Sequence, residues 1–407
     1  MDRRLLAAVA AVTLIAGCGH SSGHAEKPGG VQPSATVDVN MLGSGNFPIK
    51  PTSPLGTAGS AIQGALIDAR RMADNVVGPW EVDPSMVIPS ASRAMVLPDT
   101  AALGDVLPAA VADAAQPHHL IYGFVSDRQN QNQGRLMNAV LRFADPASAV
   151  AAATDMAAAA TAQAPAVDHP VPVPGYPDAH ATTFTYDLDI DGNPPVTLYS
   201  FTPHGAYVLV QLAHSDTLDA ATGLVVGALD AQGPRIDQFV PTDPGQFATL
   251  AVDPSGLLAR TMSAPTYPDP PGAKPFDPKI GVYLPRAALH FQDSPLESAA
   301  AFTAAGVSEM TFNQTIIYRT RDAAAARKLV DDLADIAVRT EPSAHPIDAV
   351  DFMPGSKCVQ SERNAAADES VYFCFAAIND LTFAVHDPDP TGARQETAAQ
   401  YKMLLAP

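Results

Sequence analysis

The chain is poor in features that announce a function. Charged residues make up 16% of its 407 positions and aromatics 6%, with a single tryptophan, Trp80. Lys and Arg total 24 against 43 Asp and Glu, a formal net charge of -19. That shortage of cations removes the basic footprint that nucleic-acid binding requires. It also offers nothing to anionic lipid head groups. Only three cysteines are present, Cys18, Cys358 and Cys374, and none stands in a C-x-x-C redox or zinc spacing. Past the first eighteen residues no apolar run is long enough to cross a bilayer as a helix. The chain is nonetheless 47% hydrophobic, enough to bury a core, and its length allows two or three domains.

What is present begins at the amino terminus. Arg3 and Arg4 precede an apolar run from Leu5 to Ala16, which Ile15-Ala16-Gly17-Cys18 closes. Small residues before a cysteine, after a short apolar run, read as an export signal cut just before Cys18. The pattern resembles the bacterial lipoprotein signal. The resemblance implies loss of residues 1–17, acylation of Cys18 (palmitate is the expected acyl group), and anchoring by lipid on the extracytoplasmic side of the cell membrane. Residues 18–40 are rich in Gly, Ser and Pro and read as a flexible tether with a reach of roughly 25 Å. Cys358 and Cys374 are then an even pair in an oxidising compartment, and a disulfide is the expectation.

Residues 41–98 form an irregular and helical segment. Ile62, Ala65, Leu66, Ala69, Met72, Ala73 and Val76 recur at helical spacing, and Gly78-Pro79 is the expected stop. Trp80 follows as a buried anchor to the first lobe or as a ligand-stacking ring.

The organising feature is an internal duplication. In one copy a strand at 139–143 leads to Asp145-Pro146, an alanine-rich helix to Ala162, then His169-Pro170 and Pro174-Gly175. In the other a strand at 315–319 leads to Asp322, a helix to Val338, then His345-Pro346 and Pro354-Gly355. Asp suits each helix start because its carboxylate accepts from unpaired amides. Strands at 182–190, 196–201 and 206–212 and a helix at 217–229 complete the first copy. Strands at 371–375 and 381–385 and a helix at 395–405 complete the second. Leu120–Val125 and Met310–Ile317 offer further strands. The fold class is α+β, with two tandem pseudo-repeated lobes, each an antiparallel sheet packed with helices in the order β-α-β-β-β-α. The lobes are expected at 99–232 and 286–407, related by a pseudo-twofold axis, with a Pro-rich linker over 233–285 crossing their surface.

Candidate chemistry is thin. Asp187, Asp189, Asp191 and Gly192 spell the start of a calcium loop, but the twelfth position is Leu198 where a bidentate Glu is needed. They read instead as acids leading into a hairpin turn. His118, His119, His169, His180, His204 and His214 lack ligand spacing and read as solvated loop residues. Asp253-Pro254-Ser255-Gly256 reads as a plain turn, and Gln129 to Gly134 as a polar hairpin tip. No catalytic, metal or cofactor-binding residue is assigned.

The segments Gly45-Asn46-Phe47-Pro48 and Pro54-Leu55-Gly56, the run Val76-Val77-Gly78-Pro79-Trp80-Glu81-Val82-Asp83-Pro84 and the terminal Ala398-Ala399-Gln400-Tyr401 resemble a family of uncharacterised actinobacterial lipoproteins, mycobacterial and nocardial. The resemblance implies an envelope location and a duplicated α+β body, and no known reaction. A more distant similarity, in the strand-Asp-helix pattern and the cysteine-bridged sheet, is to extracellular sensor domains of mycobacterial membrane kinases. The expected function is non-catalytic binding of an envelope lipid, glycan or protein in a groove between the lobes. The alternative is a hydrolase or transferase acting on envelope lipid or glycan through a loop-built site.

Overall fold

The computed structural model describes residues 36–163, 170–185, 196–263, 277–364 and 369–407. Cys18, the signal and most of the tether lie outside the described residues, as do His169 and the stretch Asp187 to Gly192. Residues 36–407 form one compact unit.

Helix α1 (Ala61–Met72) starts at Ser60, whose hydroxyl accepts from the Gln63 amide at 3.2 Å. It passes into a 3-10 turn at Ala73–Asn75 and stops there, short of Gly78-Pro79. Those two residues open a helix instead of closing one. Pro79 has no N–H to lose at a first turn, and α2 (Pro79–Val82) begins on it, with Glu81 accepting from the Gly78 amide.

The first repeat then runs β1 (Ile88–Leu97), α3 (Thr100–Leu103), α4 (Ala109–Ala114), β2 (Leu120–Gln129), β3 (Arg135–Phe143), α5 (Pro146–Gln163), β4 (His180–Thr185), β5 (Val196–His204), β6 (Tyr207–Ser215) and α6 (Leu218–Ile236). The second runs β7 (Gly281–Tyr283), α7 (Pro285–Leu289), α8 (Pro295–Ala305), β8 (Glu309–Phe312), β9 (Ile316–Arg319), α9 (Ala323–Thr340), β10 (His345–Ile347), β11 (Lys357–Asn364), β12 (Glu369–Ile378), β13 (Leu381–Asp387) and α10 (Pro390–Leu405). The described strands make two antiparallel sheets, ordered β1-β2-β3-β6-β5-β4 and β10-β11-β12-β13-β9-β8-β7. Read backwards, the second order reproduces the first, with β10 added at its far edge. Each repeat is therefore longer than β-α-β-β-β-α, because a strand, two short helices and another strand precede that core in both. The sheets accordingly include β1, within the expected 41–98 segment, and β7, within the expected linker.

The register fixes the equivalence residue by residue. His204 pairs with Tyr207 and Ile378 with Leu381, each across a two-residue loop. The first loop residue is left-handed in both, Gly205 at φ 56° and Asn379 at φ 53°, as such hairpins demand. Arg142 lies opposite Tyr207 and Arg319 opposite Leu381, so residues 138–142 correspond to 315–319. The expected alignment from 139 is one residue off. Asp145 accepts from the Ser148 amide and Asp322 from the Ala325 amide, both at 2.8 Å, so both act as helix caps. Pro170 bridges to Thr182, and Pro346 pairs with Val359 at the same point of the sheet. Cys358 and Cys374 face each other on β11 and β12, disulfide-bonded with Cα atoms 4.2 Å apart. The first repeat places Ala181 opposite Ser200 there.

One face of the first sheet packs on α5, α3 and α4 through Val125, Met137, Leu141, Phe143 and Met156. Its other face carries α6 and α1, and joins α7, α8 and α9 of the second repeat in one apolar cluster. The far face of the second sheet is closed by α10 and by Leu42, Val350 and Met353. The repeats thus meet through unlike faces. That is a head-to-tail relation, not the expected pseudo-twofold one, since a two-fold contact joins like surfaces. The stretch expected as a surface linker helps to make the core. Residues up to Ile236 extend α6, and Phe247, Leu257, Leu258 and Met262 are buried. A Cβ on Gly64 of α1 would fall 2.1 Å from the Phe247 carbonyl oxygen, so only glycine permits that approach.

Candidate functional site

Polar groups tie α1 and the segment after α6 to the first sheet, and others cross from there to the second repeat. Asp68 on α1 is fully buried and accepts from the Tyr122 hydroxyl at 2.6 Å, Arg142 at 3.1 Å, Arg71 at 2.5 Å, and the Thr242 amide and hydroxyl at 3.0 and 2.8 Å. Burial, then the Asp68 charge, pushes the Tyr122 phenol far up, keeping it a donor. Arg128 on β2 donates to the carbonyls of Val87, His290 and Gln292, tying the first sheet to the second repeat. Its guanidinium lies 5.4 Å from the Trp80 ring centre, and Trp80 packs on His290 with centroids 5.2 Å apart. Trp80 is buried, as an anchor. What it anchors is the meeting of the two repeats, which sequence spacing alone does not reveal. Asp74 accepts from the amides of Arg286 and Ala287 at the start of α7, adding a further link.

Beside this lock lies a cavity of about 450 Å³, between α1, the segment 250–254 and β7. Ile67, Leu250, Val252, Val282 and Leu284 supply most of its wall. Its charged lining residues are Arg71, already held by Asp68, and Glu309, which accepts from the Ser255 hydroxyl. The size falls within the roughly 300–1,000 Å³ of small-molecule pockets, and so does the pattern of apolar walls with few polar groups. A second cavity, under α9 and lined by Phe291, Tyr318, Leu333, Phe373 and Phe375, holds only about 130 Å³. That is below the size of such pockets.

The arrangements that resemble catalysis do not support it. Ser126 and His290 form a hydroxyl–imidazole pair at 2.8 Å, a constellation the sequence reading missed because 164 positions separate them. Both are buried. Desolvation first, and Arg128 second, pull the His290 pKa down to about 3. A serine that no substrate can reach is not a nucleophile, and the pair is a packing contact beneath Trp80. His214 meets the Thr197 hydroxyl at 2.8 Å, and burial lowers its pKa. His118 pairs with Asp155 and His204 with Asp237, both at 2.7 Å, so these loop histidines are bonded rather than merely solvated. Among the described residues no group of three or more His, Cys, Asp and Glu is placed to hold a metal ion. Asp253 accepts from the amides of Leu258 and Ala259, and Asn130 from those of Asn132 and Gly134, both as turn-forming groups. Gly19-His20-Ser21-Ser22-Gly23 spells G-x-S-x-G within the tether, outside the described residues. A nucleophile elbow needs a strand before it and a helix after it, and that polar stretch suggests neither. No helix among the described residues is long and apolar enough to cross a membrane.

Residues 55–252 match a family described as "Domain of unknown function (DUF7373) N-terminal", and residues 257–406 match its C-terminal counterpart. No curated protein matches the chain. Among solved structures, the extracellular domain of PknH from Mycobacterium tuberculosis is 14% identical, over 40% of this chain and 94% of that one, with a TM-score of 0.30. A likeness that slight bears on neither fold nor function.

Proposed function

The chain belongs to the two-part DUF7373 family, and from that premise we propose that it is an exported lipoprotein, anchored through Cys18, that binds an apolar ligand without chemical turnover. The junction cavity carries the reading. It is large enough for a ligand, its walls are mostly aliphatic, and α1, the segment between the repeats and the second repeat build it. An acyl or other hydrocarbon chain is the ligand class that such walls favour, at roughly 25 cal/mol for each Å² of apolar surface removed from water. Arg71 and Glu309 sit in the lining as polar points that orient a head group. The alternative, an envelope hydrolase or transferase, draws no support from the buried Ser126–His290 pair.

Titration of the protein with a fluorescent long-chain fatty acid tests the proposal. Saturable binding is expected, weakened about tenfold or more by Val252→Arg, which sets a charge in the apolar wall. Equal binding by the variant, with its fold intact by circular dichroism, would refute the assignment of this cavity.

A further inference from the structure

We infer that the second repeat carries a calcium site, built by Glu396 and Asp387 where the end of β13 meets the first turns of α10. Glu396 carries the inference. It is fully buried, and neither of its carboxyl oxygens has a hydrogen-bond partner among the described residues. A carboxyl group in that state is costly, and buried charges are as a rule paired or bound to a metal. No Lys, Arg or His is among the groups that act on it. Those that do are a second acid, Asp387, and the side chain of Gln314 in the β8–β9 loop.

The backbone shows where the two acids meet. Asp387 is the last residue of β13, and its Oδ1 accepts from the Asp389 amide at 2.7 Å. Its two carboxylate oxygens stand 2.7 and 2.8 Å from the point that a Cβ on Gly392 would occupy. Glu396 follows Gly392 by one helical turn. Helical side chains lean back toward the N-terminus, over the residue four places earlier. The two carboxyl groups therefore converge over Gly392, in the space that its missing side chain leaves.

The donors on offer choose the ion. Carboxylate and amide oxygens suit a hard cation, whereas zinc and copper favour nitrogen and sulfur. Calcium takes about six to eight oxygens in flexible geometry, and magnesium demands a near-ideal octahedron. Glu396 can supply two oxygens, Asp387 and the Gln314 amide one or more each, and water the rest. Asp387 and Gly392 are only half-buried, which gives the ion and its waters a way in. Two acids, where stronger sites use more, place the expected Kd near that of extracellular calcium modules, about 10⁻⁴–10⁻³ M. The site is independent of the junction cavity.

The test is isothermal titration of the whole, chelator-stripped protein with calcium chloride, at pH 8 and about 0.1 M salt, where long-range attraction to the acidic surface is screened. Saturable binding is expected, with a rise in the thermal unfolding midpoint. Glu396→Gln keeps the shape and should weaken binding about tenfold or more, with the rise in midpoint lost. Gly392→Ala keeps every acid but fills the space between them, and should weaken binding similarly. Asp331→Asn, at an exposed acid elsewhere, should leave binding unchanged. Absence of saturable binding would overturn the proposal. So would equal binding by Glu396→Gln and Gly392→Ala, which would mean that only general surface charge is being read. Circular dichroism of each variant verifies that it is folded.

Discussion

Glu396 lies fully buried on α10, and neither of its carboxyl oxygens has a hydrogen-bond partner among the described residues. Burial, and then the neighbouring Asp387 charge, push its pKa up to about 7, an effect that nearby Gln314 eases only in part. Counted from the capping residues, the first repeat has Leu224 in this place. In the unfolded chain the carboxyl titrates at its ordinary value near 4.5. Below that pH both states hold the proton and the group costs nothing. As pH rises through about 7 the unfolded state is already ionised while the folded state resists, so stability is lost over that interval and stays flat above it. The loss amounts to about 3 kcal/mol. Urea unfolding at pH 5 and pH 8 should show the wild type weakened at the higher pH, and Glu396→Gln weakened by that much less. Parallel profiles would contradict this account. Little of this was legible in the sequence. A glutamate in a helix reads as solvated, and only the packing of α10 against the sheet buries it. The Asp68 cluster is hidden for the same reason, since Thr242 stands 174 positions away.

At the scale of elements much more was legible, because the signals are local. Asp145 and Asp322 stand three residues before the amides they accept from, and the sequence pattern marks both. The two-residue loops at Gly205 and Asn379 follow from residues that tolerate positive φ. Short elements without periodicity were not legible, notably β7, β10 and the 3-10 turn at Pro244–Thr249. The disulfide also belongs at this scale. It joins β11 to β12 across a sequence separation of 16, where the first repeat manages with Ala181 and Ser200. The double variant Cys358→Ala, Cys374→Ser copies that pair. It should fold, with native circular dichroism, and lose about 3 kcal/mol in urea unfolding because the unfolded chain is no longer cross-linked. Failure to fold would show that the second sheet depends on the bridge. An unchanged midpoint would show that the bridge adds nothing.

At the scale of the whole molecule, duplication was legible and assembly was not. Repeated caps, hairpins and prolines reveal two copies, but no local signal says which face of one meets which face of the other. The answer lies in α1, which packs beneath the first sheet and against β7 and α7, and in Trp80, Arg128 and His290, which close around one another. The expected groove between the lobes is therefore mostly filled. What remains open is the apolar cavity beside α1, and the binding reading rests there. Native mass spectrometry of the protein extracted from its own envelope tests that reading most directly. The account predicts a chain that begins at an acylated Cys18 and carries an additional apolar ligand, with the ligand absent from Val252→Arg. A chain that emerges free of any ligand, or one that keeps the same ligand when Val252 is replaced, would contradict it.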